Sequence, residues 1–360
     1  MENEEDVLYN RPSSMKKAVL YKNLGHATVQ CLACAWYCRI APGHTGVCST
    51  RYNDAGSLYS LVYGKAIGLH MDPVEKKPLY HFLPGKNLLS FGTAGCNFGC
   101  LFCQNWEMSQ ATKSKTIQNI QQAINRLSIT STPRKIVDLA LKNGASGIAY
   151  TYNEPAIFIE YACDTARLAK KKGLKNVYVS NGFESHESFA YIGKYLDAIN
   201  IDLKSFQPQF YRKICKAAIE PVKENIKKFF KSGIETEVTT LLIPGYNNSD
   251  KELQEIAGFL CKISSDIPWH VSAFYPDYRM RDVPPTPYHD LLRAYHIGKK
   301  AGLKYIYVGN VSPTEYSDTR CPHCHEVLVQ RAGYVTRVRK LDTQKGVCGR
   351  CGEHIYGIWN

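Results

Sequence analysis

Residues 91–103 read Phe91-Gly-Thr-Ala-Gly-Cys-Asn-Phe-Gly-Cys-Leu-Phe-Cys103, and the rest of the chain is organised around them. Three cysteines, Cys96, Cys100 and Cys103, follow the apolar run Leu88 to Phe91 at C-x3-C-x2-C spacing. The run predicts a buried strand, and Gly92, Gly95 and Gly99 let the chain turn sharply behind it. Three thiolates on one tight loop suit three irons of a [4Fe–4S] cluster, whose usual complement is four cysteines. The missing fourth ligand leaves one iron open to a substrate or cofactor. A zinc knuckle or unrelated reduced thiols would share this spacing, so the surrounding chain has to decide.

Length and composition set the frame. A chain of 360 residues holds one large α/β domain of roughly 200–250 residues with small extensions. A hydrophobic fraction of 44% supplies a real core. The start, Met1-Glu-Asn-Glu-Glu-Asp6, is acidic and lacks the apolar core of a signal peptide. No apolar run approaches the ~18 residues of a membrane-spanning helix. A soluble, cytoplasmic protein with no membrane contact is expected.

Eleven of the fourteen cysteines fall in three groups: Cys31, Cys34, Cys38 and Cys48; then the loop trio; then Cys321, Cys324, Cys348 and Cys351. Cys163, Cys215 and Cys261 stand alone in helical segments and read as buried, apolar-type residues. In a long chain without a secretion signal, metal ligation explains the groups better than disulfides. Residues 31–48 describe a compact four-cysteine module. Zinc and an auxiliary iron–sulfur cluster both fit it, and His44 reads as a polar loop residue. The C-terminal pairs, separated by twenty-three residues with the β-rich Val327–Val338 between, predict a zinc ribbon. Arg337, Arg339 and Lys340 would give it a basic surface. The net charge of +13 lies mostly on solvated helix faces, and it also suits nucleic acid or an acidic protein partner.

The predicted organisation is a tail over 1–28 leading into a short strand, the four-cysteine module with a β-rich lead-in over 29–85, a core over 86–312, and the ribbon over 313–360. In the lead-in, Glu75-Lys-Lys-Pro-Leu-Tyr-His-Phe-Leu-Pro-Gly85 reads either as an active-site wall or as a covering loop pinned by its prolines. The polar segment Gln104–Asn119 reads as a mobile connection or lid. Strand-like runs then recur at Gly147–Tyr152, Asn176–Ser180, Ala198–Leu203, Glu235–Ile243, His270–Tyr275 and Tyr305–Val308. Helices separate them: one starts at Thr132-Pro133, one covers Pro155–Lys172, one opens on the capping box Ser249-x-x-Glu252, and one runs from Thr286-Pro287 to Gly302. The alternation predicts α/β architecture with a parallel sheet, about six strand–helix units and a closing strand. This succession resembles the partial (β/α)6 TIM-like barrel of radical S-adenosylmethionine proteins, and in such a barrel residues just past the C-terminal strand ends line the site. Asp202 and Lys204 lie on one face of their strand, a charged pair that needs a polar ligand or each other.

The loop resembles the signature of the radical S-adenosylmethionine (SAM) superfamily, including the aromatic Phe102 before the third cysteine. The resemblance implies a [4Fe–4S] cluster on Cys96, Cys100 and Cys103. The open iron binds SAM, and reductive cleavage yields a 5′-deoxyadenosyl radical that abstracts hydrogen. It further implies SAM contacts from Glu154, Asn181, Asp202, Lys204 and His270. Glu154 would face the methionyl amino group, although Tyr152 and Asn153 replace the usual glycines. Lys204 would face the carboxylate, and Asp202 the ribose or a cation. A flavodoxin or ferredoxin would serve as low-potential electron donor. From Cys31 to Trp359 the chain resembles the AmmeMemoRadiSam subgroup, which implies Memo-like and AMMECR-type partners. A glycyl-radical activase resembling pyruvate formate-lyase activating enzyme stands second, with Val179 where those activases carry an acid. An RNA-modifying or nucleic-acid-binding protein using the ribbon stands third.

Overall fold

The apolar run before the cysteine loop forms strand β1 (Asn87–Gly92), with five of its six residues buried. A strand buried on both faces carries such a continuous apolar run because helices cover a parallel sheet on each side. The structure is a computed structural model that describes residues 15–113, 116–312 and 315–360. Outside the described residues lie the first fourteen of the expected tail, residues 114–115 of the expected connection, and residues 313–314 at the expected ribbon boundary.

The chain forms two compact units. The first holds the described residues through 72 with 87–99 and 103–197; the second holds 73–86, 100–102 and the described residues from 198 onward. In the first unit β1 pairs in parallel with β2 (Gly147–Tyr150), and β2 with β3 (Lys175–Ser180). The register sets Phe91, Tyr150 and Tyr178 side by side, so the segments following the three strands leave at one edge. Helices α1 (Pro133–Lys142), α2 (Ile159–Lys171) and α3 (His186–Ile192) follow β1, β2 and β3 in turn. Thr132 caps α1 by accepting from the Lys135 N–H at 3.3 Å, and Ile136, Val137 and Ala140 form its buried stripe. Two short strands lie in the described part of the stretch expected as a tail leading into a short strand. Lys16–Lys17 pairs with Ser57–Ser60, and Tyr21–Asn23 with Val29–Cys31, because hairpin pairing satisfies backbone that composition alone leaves open.

The second unit carries parallel strands β4 (Ala198–Asp202), β5 (Glu235–Leu242), β6 (Trp269–Ala273) and β7 (Ile306–Gly309) in that order. Helices α4 (Glu220–Lys231), α5 (Asp250–Ile263) and α6 (Tyr288–Ala301) alternate with them. Among the described residues, three parallel strands in one unit and four in the other make the six strand–helix units and closing strand expected of a partial (β/α)6 succession. Two caps differ from expectation. Ser249 caps α5, but Glu252 turns its carboxylate to Ser205 Oγ and the Phe206 N–H, both at 2.6 Å, so only half of the capping box forms. Thr286 accepts from the Phe274 N–H at 2.7 Å instead of capping α6, whose N-cap is Pro287.

The ribbon consists of Thr319–Arg320, Val327–Ala332 and Val335–Val338 in one antiparallel sheet and Leu341–Asp342 with Val347–Cys348 in another. Leu328, Val329, Ile355 and Trp359 pack with Tyr305 and Tyr307 into one core. The 75–85 block behaves as a covering segment for this module: Glu75 accepts from Thr336 Oγ1 at 2.7 Å, and Leu83 N–H donates to the Ile358 carbonyl.

Candidate active site

The cysteine loop is gripped by the segments that follow β2 and β3. Asn153 accepts from the Thr93 N–H at 3.2 Å and donates from Nδ2 to Thr93 Oγ1 and to the Gly95 carbonyl at 3.1 and 2.7 Å. Gly92 makes room for this side chain, since a Cβ there would lie 2.7 Å from Asn153 Oδ1. Gly95 sits at φ +90°, and a Cβ would meet Thr50 Cγ2 at 2.5 Å. Asn181 donates from Nδ2 to Asn97 Oδ1 at 2.8 Å, and Trp36 Nε1 donates to the Asn97 carbonyl at 2.9 Å. The 104–119 segment is not a free lid over its described residues. Trp106–Ser109 is a helical turn, Ser109 Oγ lies 3.2 Å from Cys103 Sγ, and Lys113 Nζ donates to the Cys96 carbonyl at 2.9 Å.

Glu154 is buried, and both of its oxygens are engaged. It accepts from the Ala156 N–H at 3.0 Å, from Ser180 Oγ at 3.1 Å and from the Asn181 N–H at 2.8 Å. Burial, aided by Glu184 nearby, holds its pKa well above the usual carboxylate range, while these three donors oppose the shift. Its visible work is to fix the turn that carries Asn181.

In the second unit, Asp202 and Lys204 pair with each other at 2.7 Å. Burial would pull the Lys204 pKa down, but Asp202 together with the Cys100 and Cys215 thiols outweighs it and the pKa is raised. The same ammonium lies 5.7 Å from the ring centre of Phe102. Cys215 lies beside Cys100, and this neighbour together with burial holds the Cys100 thiol well above its ordinary value. Cys215 is thus a neighbour of the loop on a five-residue π turn, Tyr211–Cys215, rather than an isolated helical residue. Of the other single cysteines Cys163 is buried, whereas Cys261 is only half-buried. His270 stands level with Asp202 in the strand ladder, through Thr239. Its Nε2, however, lies 2.5 Å from Glu237 Oε2, and Tyr80 and Tyr307 box the ring.

Residues 91–260 match the family model of the radical SAM superfamily, a match that opens on the first residue of the cysteine loop. An uncharacterized protein of Methanocaldococcus jannaschii is 39% identical over 342 residues, spanning 95% of this chain and 99% of its own length. The chain belongs to the radical SAM superfamily. A UPF0026 protein of Helicobacter pylori is 27% identical over 229 residues, 58% of this chain and 62% of that protein, in agreement with the AmmeMemoRadiSam subgroup. A domain of pyruvate-formate lyase-activating enzyme from Bacteroides vulgatus is similar in structure at 18% identity and a TM-score of 0.39, over 46% of this chain and 99% of that domain. Superfamily membership makes the chain an enzyme, implies SAM and an iron–sulfur cluster, and calls for a reductant. Among the described residues, no helix is long and apolar enough to cross a membrane.

The residues of the loop fit the group that the superfamily implies. The donor set is three thiols, and Asn97 Nδ2 beside Cys96 is buried with no hydrogen-bond partner among the described residues. The ribbon thiols fit a single metal ion. All four sulfurs lie within 4.8 Å of one another, with Cys321–Cys351 and Cys324–Cys348 at 3.6 Å. That is close to the edge of about 3.8 Å that a tetrahedral zinc–thiolate site requires. Cys31, Cys34, Cys38 and Cys48 instead line a shared cavity with Arg51. Sequence reasoning passed over Asn97, Asn153, Ser109 and Cys215. Only Asn153 carried a signal, as an amide standing where the superfamily often has glycine.

Proposed function

We propose that this enzyme reductively cleaves SAM at a [4Fe–4S] cluster held by Cys96, Cys100 and Cys103 and uses the product for hydrogen abstraction. A cluster held by these three thiols would supply one-electron reduction of the SAM sulfonium from an external donor, the chemistry that breaks the C5′–S bond to methionine and a 5′-deoxyadenosyl radical. The chain's own residues prepare for this. Asn153 and Asn181 hold the loop in shape, and Glu154 acts as a positioning residue through Ser180 and Asn181. Lys204 and Asp202 form a preorganised charge pair for the carboxylate and hydroxyl groups of SAM. His270 is committed to Glu237. The observation that carries this reading is a three-thiol loop immobilised by amide side chains from two successive strand ends.

The test is anaerobic reconstitution with iron and sulfide, followed by dithionite and SAM. Release of 5′-deoxyadenosine and methionine is expected, with none from Cys96→Ala. Undiminished cleavage by that variant would overturn the cluster assignment. A flavodoxin or ferredoxin fits as the physiological donor, and Memo-like and AMMECR-type proteins as partners. Pull-down from cells under anaerobic conditions checks the latter.

A further inference from the structure

We propose that Cys31, Cys34, Cys38 and Cys48 hold an iron–sulfur cluster rather than a single zinc ion, with the Arg51 guanidinium as its buried hydrogen-bond donor. Size is the first argument. Among the described residues, the thiols drawn to within 4.8 Å of one another are the ribbon four. The N-terminal four are spread around the wall of a cavity that Trp36 and Arg51 complete. One chain therefore carries two four-thiol sites of different span. A single zinc requires the tight one, and a cluster with sulfide between its irons requires the wide one.

Arg51 is the second argument. It is only 1% exposed, an expensive place for a cation unless every donor is used. Its Nε donates to the Ile157 carbonyl at 3.1 Å and its Nη1 to Glu160 at 2.8 Å. Nη2 is buried and has no hydrogen-bond partner among the described residues, although the side chain lines the cavity. A cluster in that cavity offers sulfur acceptors and negative charge, both of which the remaining N–H requires. Hydrogen bonds to cluster sulfur raise the reduction potential, so Arg51 tunes as well as neutralises. Trp36, on the same cavity wall, donates to Asn97 within residues 91–103, which ties this module to the catalytic loop. The proposal does not depend on SAM cleavage.

The experiment uses the full chain with Cys96, Cys100 and Cys103 replaced by alanine and purified without oxygen. Iron and inorganic sulfide are expected in equal amounts, about two to four per chain, beside about one zinc. Adding Cys31→Ser and Cys34→Ser should remove the iron and leave the zinc. About two zincs with no sulfide would overturn the proposal. Potentiometric titration followed by electron paramagnetic resonance tests Arg51. Arg51→Lys, which loses the planar donor, is expected to lower the midpoint, and Glu160→Gln, which removes the competing negative charge, to raise it. Midpoints that stay at the parent value in both variants would show the arginine to be structural only. If Arg51→Lys loses iron, Glu160→Gln still decides the point.

Discussion

Asn153 shows how much one side chain can settle in this site. Its amide spans the first turn of the cysteine loop with three hydrogen bonds, and Gly92 leaves room for it and for the Thr151 carbonyl. Each buried bond contributes about 1 kcal/mol, so losing all three removes enough to loosen the loop. Asn153→Ala is expected to lower 5′-deoxyadenosine formation about tenfold or more and to reduce bound iron. Asn153→Asp, which keeps the acceptor for Thr93 N–H, should fall between, as product analysis and iron content would show. His81 makes a pH prediction. Its Nδ1–H donates to the Tyr356 carbonyl, so Nε2 must accept from the Tyr307 hydroxyl at 2.6 Å and the ring is neutral. Burial lowers its pKa from 6.5 to about 4. The unfolded chain takes up the proton first, so this contribution to stability is whole above pH 6.5 and is lost as the pH falls through about 4. It amounts to about 3 kcal/mol at most. Urea midpoints at pH 7 and 4.5 should converge more for His81→Gln than for the parent.

At the scale of elements, the ribbon sets four thiols placed to hold a metal ion beside a small apolar core. Its short strands enclose Leu328, Val329, Ile355 and Trp359, and the four thiols stand at their turns. Removing the ion leaves four sulfurs crowded without a counter-charge, so a strong chelator is expected to unfold this module first. Trp359 reports it. The indole is 7% exposed and donates to the Ile355 carbonyl at 3.1 Å, so its emission should shift to the red on chelation. The shift should vanish in Trp359→Phe; a shift that persists would place the change elsewhere. Helix caps mark the limit of local signals at this scale. Ser249-x-x-Glu252 has the spacing of a capping box, yet Glu252 is recruited by Ser205 and Phe206, because buried donors outbid an exposed helix end. Thr286 is taken by Phe274 in the same way.

For the whole molecule, charge and redox supply belong together. A net charge of +13 favours encounter with an acidic electron-carrier protein. Salt screens that attraction over a distance of about 10 Å at 0.1 M. Turnover driven by a flavodoxin is therefore expected to fall severalfold between low and moderate salt, while dithionite-driven turnover changes little. Equal salt dependence of the two rates would count against electrostatic docking of the donor.

The sequence alone determined the α/β class, the strand–helix succession, the three thiol groups and the superfamily. Periodicity and cysteine spacing are local properties, and they survive any uncertainty about packing. Tertiary structure decided the partners. It turned Glu154 and Asn181 onto the turn and the loop, paired Asp202 with Lys204, bound His270 to Glu237 and set Cys215 beside Cys100. It also distinguished two four-cysteine modules that spacing treats alike, one gathered as tightly as a single ion demands and one lining a cavity with Arg51. The reason is physical: a hydrogen bond or a thiol separation depends on where distant segments bring their donors and acceptors, and no local pattern carries that information.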